Sequence, residues 1–240
     1  MSVPMSKAVV KDTLKSVPLF AELTDPELEL LASTSRSLPM KKGARVFEEG
    51  APADCCYVLT SGRAKLVLSA EGGTEIILSL LHPKELTGEV ALLDGSARSA
   101  DLISTEDCQF IRIPKSSFDA LRRNFAFEVR IVAHALSLLR SANDQVRGTA
   151  SLPSLSKVAW CLARLARREG RRQGALVVIS KPPHHELAEM AGCARETVTR
   201  ALGVLKRKKG ITWDDDTMAI DVEALQRVLR QNFPLDGRTL

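Results

Sequence analysis

The chain has 240 residues, 26% charged, 45% hydrophobic and 4% aromatic, a balance that suits a soluble protein with one large core or two smaller ones. No run of 18 apolar residues and no apolar N-terminal signal core is present, which argues against membrane insertion and export and for a cytoplasmic protein. The net charge of +5 is uneven: residues from Ser151 onward hold 16 Lys and Arg against 10 Asp and Glu, and the first 150 hold 18 against 19. A phosphate backbone would therefore be met by the C-terminal part.

In chain order, Thr24-Asp25-Pro26-Glu27 supplies a cap candidate, a first-turn proline and early acid, and predicts a helix over 26–33. Short strands are predicted over 44–48, 56–61, 63–69, 75–81 and 109–114, punctuated by Gly43, Gly50, Gly62, Gly72-Gly73 and Gly88. Short strands between glycine turns predict an antiparallel barrel or jelly roll. Within that region Gly88-Glu89-Val90-Ala91-Leu92 precedes Arg98-Ser99-Ala100. Gly88 lets backbone approach a ligand, Glu89 offers a carboxylate to a sugar hydroxyl, and Arg98 with Ser99 offers a cation and a hydroxyl to phosphate oxygens. A short helix over 90–93 would add N-terminal amides that favour an anion. The plainer alternative is an ordinary Glu–Arg ion pair.

After Ser116 the pattern turns helical, with a short helix over 118–121 and a long one over 125–148. The long segment carries one apolar line through Ile131, Ala135, Leu138, Ala142 and Gln145 or Val146, and a second through Val132, Leu136, Leu139 and Val146. Two apolar lines predict a helix that packs on its own domain with one side and on a partner with the other; a wholly buried core helix is the alternative. Ser151-Leu152-Pro153 breaks the pattern, because a residue before proline disfavours helix, and a new helix is predicted over 154–168. The expected division is a first domain over 1–124, a long helix and hinge over 125–150, and a second domain over 151–240.

Residues 184–191 predict a short helix, Gly192 a turn of positive φ, and Arg195 onward a second helix whose first exposed side chains are Arg195, Glu196 and Thr197, with Arg200 a turn further on. Arg pairs bidentately with guanine and Glu accepts from cytosine, so this face suits base edges in a major groove. Lys206 and Lys208, in the run 206–209, suit backbone phosphate. Gly210 is predicted to stop the helix as a left-handed cap, and 211–213 and 218–220, joined by a turn over 214–217, predict a hairpin wing. A plain packed helical hairpin is the alternative.

The five cysteines show no Cys-x2-Cys spacing, and Cys55 and Cys56 would point to opposite sides of a strand, so mostly buried thiols are expected. His185-Glu186-Leu187-Ala188-Glu189 lacks the second histidine of a zinc-protease helix. No catalytic constellation and no metal site are expected.

Gly88-Glu89…Arg98-Ser99-Ala100, the long helix, and Gly192-Cys193-Ala194-Arg195-Glu196-Thr197-Val198, in that order, resemble the CRP/FNR family of bacterial transcription regulators, nearest the cyclic-AMP receptor protein branch. The resemblance implies an α+β chain: an N-terminal antiparallel β-roll of the cyclic-nucleotide-binding type, a long dimerisation helix and a C-terminal winged helix-turn-helix. It implies that Glu89 binds ribose, that Arg98 and Ser99 hold the cyclic phosphate, and that Gly88, Val90 and Ala100 flank them. Asn143 would contact the base. The family's neighbouring hydroxyl is missing at Ala142, which leaves cyclic AMP, cyclic GMP and cyclic di-GMP as candidate effectors. It further implies a homodimer on an inverted-repeat operator with GTGA-like half-sites, and RNA polymerase as a partner. No Cys precedes Cys55, which sets aside the family's iron–sulfur branch, and haem ligation by His82 or His134 is a minor alternative. Two rival readings are an effector-independent regulator and a nucleotide-gated regulatory subunit.

Overall fold

The computed structural model describes residues 5–69, 75–150 and 152–230, apart from the side chains of residues 147, 149 and 150. The expected Gly72-Gly73 turn and Ser151 lie outside the described residues. The chain forms two compact units that divide within the long helix, between Leu139 and Arg140.

The first unit opens with helix α1, Lys7–Lys15, a 3-10 turn at Pro18–Phe20 and helix α2, Asp25–Thr34. The start of α2 is fixed as its sequence predicts: the Glu27 carboxylate accepts from the Thr24 N–H at 2.8 Å and from its hydroxyl at 2.7 Å. Then come β1 Arg36–Met40, β2 Arg45–Phe47, β3 Cys55–Ser61, β4 Ala64–Ser69, β5 Glu75–Leu81, β6 Leu86–Thr87, α3 Val90–Asp94, β7 Asp101–Ser104, β8 Cys108–Pro114, α4 Lys115–Leu121 and α5 Phe125–Ala150. The strands form two four-stranded sheets, ordered β1-β8-β3-β6 and β2-β7-β4-β5. Strand β3 pairs antiparallel with both β6 and β8, and β7 with both β2 and β4.

Alternation along β3 decides where the core sits. Cys55, Tyr57 and Leu59 point into the roll with Leu81, Leu102 and Phe110, whereas Cys56 and Val58 point the other way, into a cluster built by the helices through Leu14, Leu28, Phe118, Phe127 and Ile131. The sheet holding β3 and β8 is thus buried on both faces, which is why β3 reads as a near-continuous apolar run.

In this unit three of the described strands are absent from the sequence reading. Strand β1 contains Pro39 and survives because it is an edge, paired with β8 alone. Strand β6 has two residues and β7 four, too short to show a period. Helix α1 also went unread: it buries only Val10 and Leu14.

The second unit continues with α6 Ser154–Glu169, β9 Arg171–Gln173, β10 Leu176–Ser180, α7 His184–Ala191, α8 Arg195–Arg207, β11 Ile211–Trp213, β12 Thr217–Ile220 and α9 Val222–Arg230. Helix α6 packs against α7, α8 and α9 through a face that includes Val158, Leu162 and Leu165. The strands form one sheet, β11-β12-β10-β9, antiparallel at every pairing. Hairpin β9–β10 was not foreseen: Arg171-Arg172-Gln173 is fully exposed and carries no apolar alternation.

One cap differs from expectation. Lys209, not Gly210, takes the left-handed conformation, at φ 56°. The Gly210 N–H reaches the Leu205 carbonyl at 2.9 Å and the Lys209 N–H the Lys206 carbonyl at 2.9 Å, which is a Schellman motif with lysine at the left-handed position. Thr217, expected in the turn, begins β12 instead and pairs with Ser180.

Candidate functional site

In the roll, Gly88 follows β6 with φ 77°, and Glu89 stands at the N-cap of α3. Arg98 is fixed at its backbone by the loop after β2, its N–H bonding the Ala51 carbonyl at 2.9 Å and its own carbonyl accepting from the Gly50 N–H at 2.8 Å. Its side chain turns inward and is 3% exposed. Nη1 donates to the Gly88 carbonyl at 2.7 Å, Nη2 donates to the Cys55 carbonyl at 2.6 Å, and the guanidinium lies 4.5 Å from the Phe47 ring centroid and 5.8 Å from that of Tyr57. A Cβ on Gly88 would stand 2.6 Å from Arg98 Nη1, so both the left-handed backbone and the close approach require glycine there.

Arg98 makes no ion pair with a carboxylate among the described residues, and its Nε has no partner. A buried guanidinium that has carbonyls and ring faces around it but no carboxylate keeps a charge that an anion can offset. Next to Gly88, Glu89 is 2% exposed; its Oε1 lies 3.0 Å from His134 Nε2, and its Oε2 is buried with no partner. The alternative of an ordinary Glu89–Arg98 ion pair is not formed: each group keeps unused hydrogen-bonding capacity instead. Ser99 and Val90 are exposed, and Ala100 is buried. Asn143 is exposed on α5, in the part that belongs to the second unit.

The sequence reading missed Phe47, Tyr57 and Cys55 around the guanidinium, and His134 as the Glu89 partner. No local signal marks them, since they come from other strands and from a helix 45 residues away. Burial pushes the Tyr57 hydroxyl up to about 12 and also raises the Cys55 thiol, so both stay protonated beside the cation. His134, considered above as a haem ligand, is engaged by the carboxylate.

In the second unit Gly192, with φ 57°, makes the turn between α7 and α8. Helix α8 buries Val198, Ala201, Leu202 and Leu205, which leaves Glu196 and Arg200 on the opposite side and Arg195 on its flank. Arg195, Glu196 and Arg200 are exposed, and Thr197 is half-buried. Glu196 and Arg200 are one turn apart yet make no ion pair; Arg200 reaches only the Thr197 hydroxyl, at 3.3 Å. Lys206 lies with its Nζ 4.3 Å from the Trp213 ring centroid on the wing, and Lys208 is exposed at the C-cap. The His184 pKa is lowered by burial and then by the positive charges of Arg195 and Lys181, a sign of the positive potential on this face.

Along α5, Phe127 and Ile131 are fully buried in the roll's helical cluster, so the first apolar line turns inward at its start. Val129, Val132, Leu136, Leu139 and Val146 are 49–61% exposed. Among the described residues no helix is long and apolar enough to cross a membrane, and no three His, Cys, Asp or Glu are grouped to hold a metal ion.

Two family descriptions match the chain: a cyclic nucleotide-binding domain over residues 38–125 and a Crp-like helix-turn-helix domain over 156–228. The sequence is 32% identical over 217 residues to the cyclic AMP receptor protein of Thermus thermophilus, covering 88% of this chain and 96% of that one. It is 27% identical over 225 residues to a CRP-like cAMP-activated global transcriptional regulator of Mycobacterium tuberculosis, covering 91% and 99%. The fold is shared with a CRP/FNR-family transcriptional regulator from Thermus thermophilus, at TM-score 0.65 and 24% identity over 82% of this chain and 99% of that one. With a cyclic nucleotide-binding domain followed by a Crp-like helix-turn-helix domain, the chain belongs to the CRP/FNR family of DNA-binding transcription regulators.

Proposed function

We propose that this regulator is a homodimer whose binding to an inverted-repeat operator is controlled by a cyclic nucleotide held in the β-roll. The observation that carries the reading is the buried Arg98 guanidinium, which has no counter-ion among the described residues, together with a buried Glu89 oxygen that has no partner among them. A cyclic phosphate supplies the missing charge and a ribose hydroxyl the missing donor. Ser99 and the backbone at Gly88, Val90 and Ala100 complete the frame, and cyclic AMP is the first candidate ligand, ahead of cyclic GMP and cyclic di-GMP.

The dimer reading rests on the stripe Val129, Val132, Leu136, Leu139, Asn143 and Val146, spaced three and four residues alternately and exposed throughout. Asn143 shares this stripe, so a twofold seam would bring it to the partner as a single polar residue, a position that fixes register. On DNA, Arg195, Glu196, Thr197 and Arg200 would read GTGA-like base edges, and Lys206 and Lys208 would hold phosphates. Two half-sites about 34 Å apart, or a multiple, follow from the twofold axis. RNA polymerase is the expected partner of such a complex at a promoter, and the cytoplasm its place. No catalytic role is proposed.

Calorimetry of the full chain with cyclic AMP, cyclic GMP and cyclic di-GMP, followed by operator titrations at two salt concentrations with and without the bound nucleotide, tests the reading. Nucleotide-dependent, salt-steep binding is expected, and Arg195→Ala should lose about 1–3 kcal/mol at its cognate base. Equal operator affinity with and without nucleotide would point to an effector-independent regulator. Absence of DNA binding would leave a nucleotide-gated subunit.

A further inference from the structure

We infer that His134 is the residue that positions Glu89 for the effector: from α5 it holds one carboxylate oxygen and leaves the other aimed at the sugar hydroxyl. This rests on the cyclic-nucleotide reading of the roll and names the part of it that α5 supplies.

Glu89 is 2% exposed, and a carboxylate so buried is costly unless its oxygens are bonded. Among the described residues His134 is the one side chain hydrogen-bonded to it, with Nε2 at 3.0 Å from Oε1. That contact consumes one oxygen and restricts rotation of the carboxylate, and Oε2 stays buried and unbonded. His134 is itself held. It lies seven and three residues after Phe127 and Ile131, on the same face of α5, and both of those are fully buried in the roll's helical cluster. The imidazole is therefore referenced to the roll by packing, and the carboxylate is referenced to the imidazole.

The charged groups facing the ring agree with a donor role. Glu89 and, further off, Glu85 are both acidic. Arg130, one turn earlier on α5, is paired with Glu22 and does not compete for Glu89. The Cys56 thiol near Glu89 is held protonated by its burial. The Glu89 bond raises the His134 pKa against the opposing effect of burial, so the ring is held as a donor.

The chemistry of the ligand makes the role specific. In a 3′,5′-cyclic nucleotide the ring phosphate ties up the 3′ and 5′ oxygens, so the 2′-hydroxyl is the only ribose donor left for Glu89 Oε2. A positioning role for His134 is therefore felt by ligands that carry this hydroxyl and not by ligands that lack it.

The experiment is calorimetric titration of the full-length protein with the tighter-binding of cyclic AMP and cyclic GMP and with its 2′-deoxy analogue. His134→Ala should weaken binding of the ribose ligand about tenfold or more, the loss of one hydrogen bond to a charged group. His134→Gln, whose side-chain amide can donate from the same place, should recover most of that affinity. Both variants should bind the 2′-deoxy ligand as the parent does. If His134→Ala folds poorly, His134→Met fills the volume without a donor and is read in the same way. Unchanged affinity for the ribose ligand, or an equal loss for both ligands, overturns the role of His134 and leaves the nucleotide site standing. A parent protein that binds neither cyclic nucleotide overturns the site reading, and this role with it.

Discussion

Arg98 carries a conflict between stability and function. Its guanidinium is desolvated, takes two backbone carbonyls and makes no ion pair with any described residue, an arrangement that contributes little to the fold and suits an anion. Arg98→Gln should therefore lower affinity for cyclic AMP roughly a hundredfold, and stability by no more than about 1–2 kcal/mol. Calorimetry and thermal melting measure the two, and a variant that unfolds without losing affinity contradicts the assignment. Gly88→Ala should damage the same site, because its Cβ would meet Arg98 Nη1 and its φ is left-handed. The His134–Glu89 bond also makes a pH statement. His134 has its pKa raised from 6.5, so the pair's stabilisation is complete below that value and is lost as pH rises through the raised one. The stability gap between the parent and His134→Gln should thus be wider at about pH 6 than at about pH 8.5. A gap independent of pH would mean that the ring stays neutral.

Two element junctions carry their own tests. The end of α8 places Lys209 at φ 56°, where a side chain crowds its own backbone, and Lys209→Gly removes that strain. A gain of about 1 kcal/mol in the unfolding of the second unit is expected, read by denaturant titration. Gly148 on α5 is different, because the reason for glycine there is space. A Cβ would stand 2.5 Å from the indole of Trp160, which is 1% exposed. Gly148→Ala should gain about 1 kcal/mol of helix propensity and lose about 1–3 kcal/mol to overpacking, a net destabilisation. Arg164 lies over the same indole at 4.7 Å and bonds Gln145, so the ring has company on another side as well.

At the scale of the whole molecule, α5 decides whether one chain suffices. Its apolar stripe is exposed among the described residues, and in the proposed dimer it closes against its twofold copy. Leu136→Asp should place like charges across that seam and convert the protein to monomers, seen by light scattering. Operator affinity should then fall at least tenfold, since the two half-sites lose their linkage. A Leu136→Asp protein that stays dimeric would move the interface elsewhere.

Much of this molecule is local and so was legible in its sequence. The cap at Thr24 and Glu27, strands β2, β3, β4, β5 and β8, the Gly192 turn and the exposure of Arg195, Glu196 and Arg200 at the start of α8 depend on neighbours a few residues apart, and propensity and period carry that information. The opposed burial of Cys55 and Cys56 follows from strand alternation alone. Other features depend on who comes near. Strands β1 and β6 exist because β8 and β3 offer them a ladder. The left-handed residue after α8 moved from Gly210 to Lys209 because the hydrogen bonds that close the helix set its register. That Arg98 folds inward onto Gly88 and Cys55, and that Glu89 turns to His134 instead of to Arg98, was decided by contacts spanning 10, 43 and 45 residues. Side-chain type names the chemistry a chain has available, and only the closed fold determines which of those groups are left without a partner and so free to take a ligand.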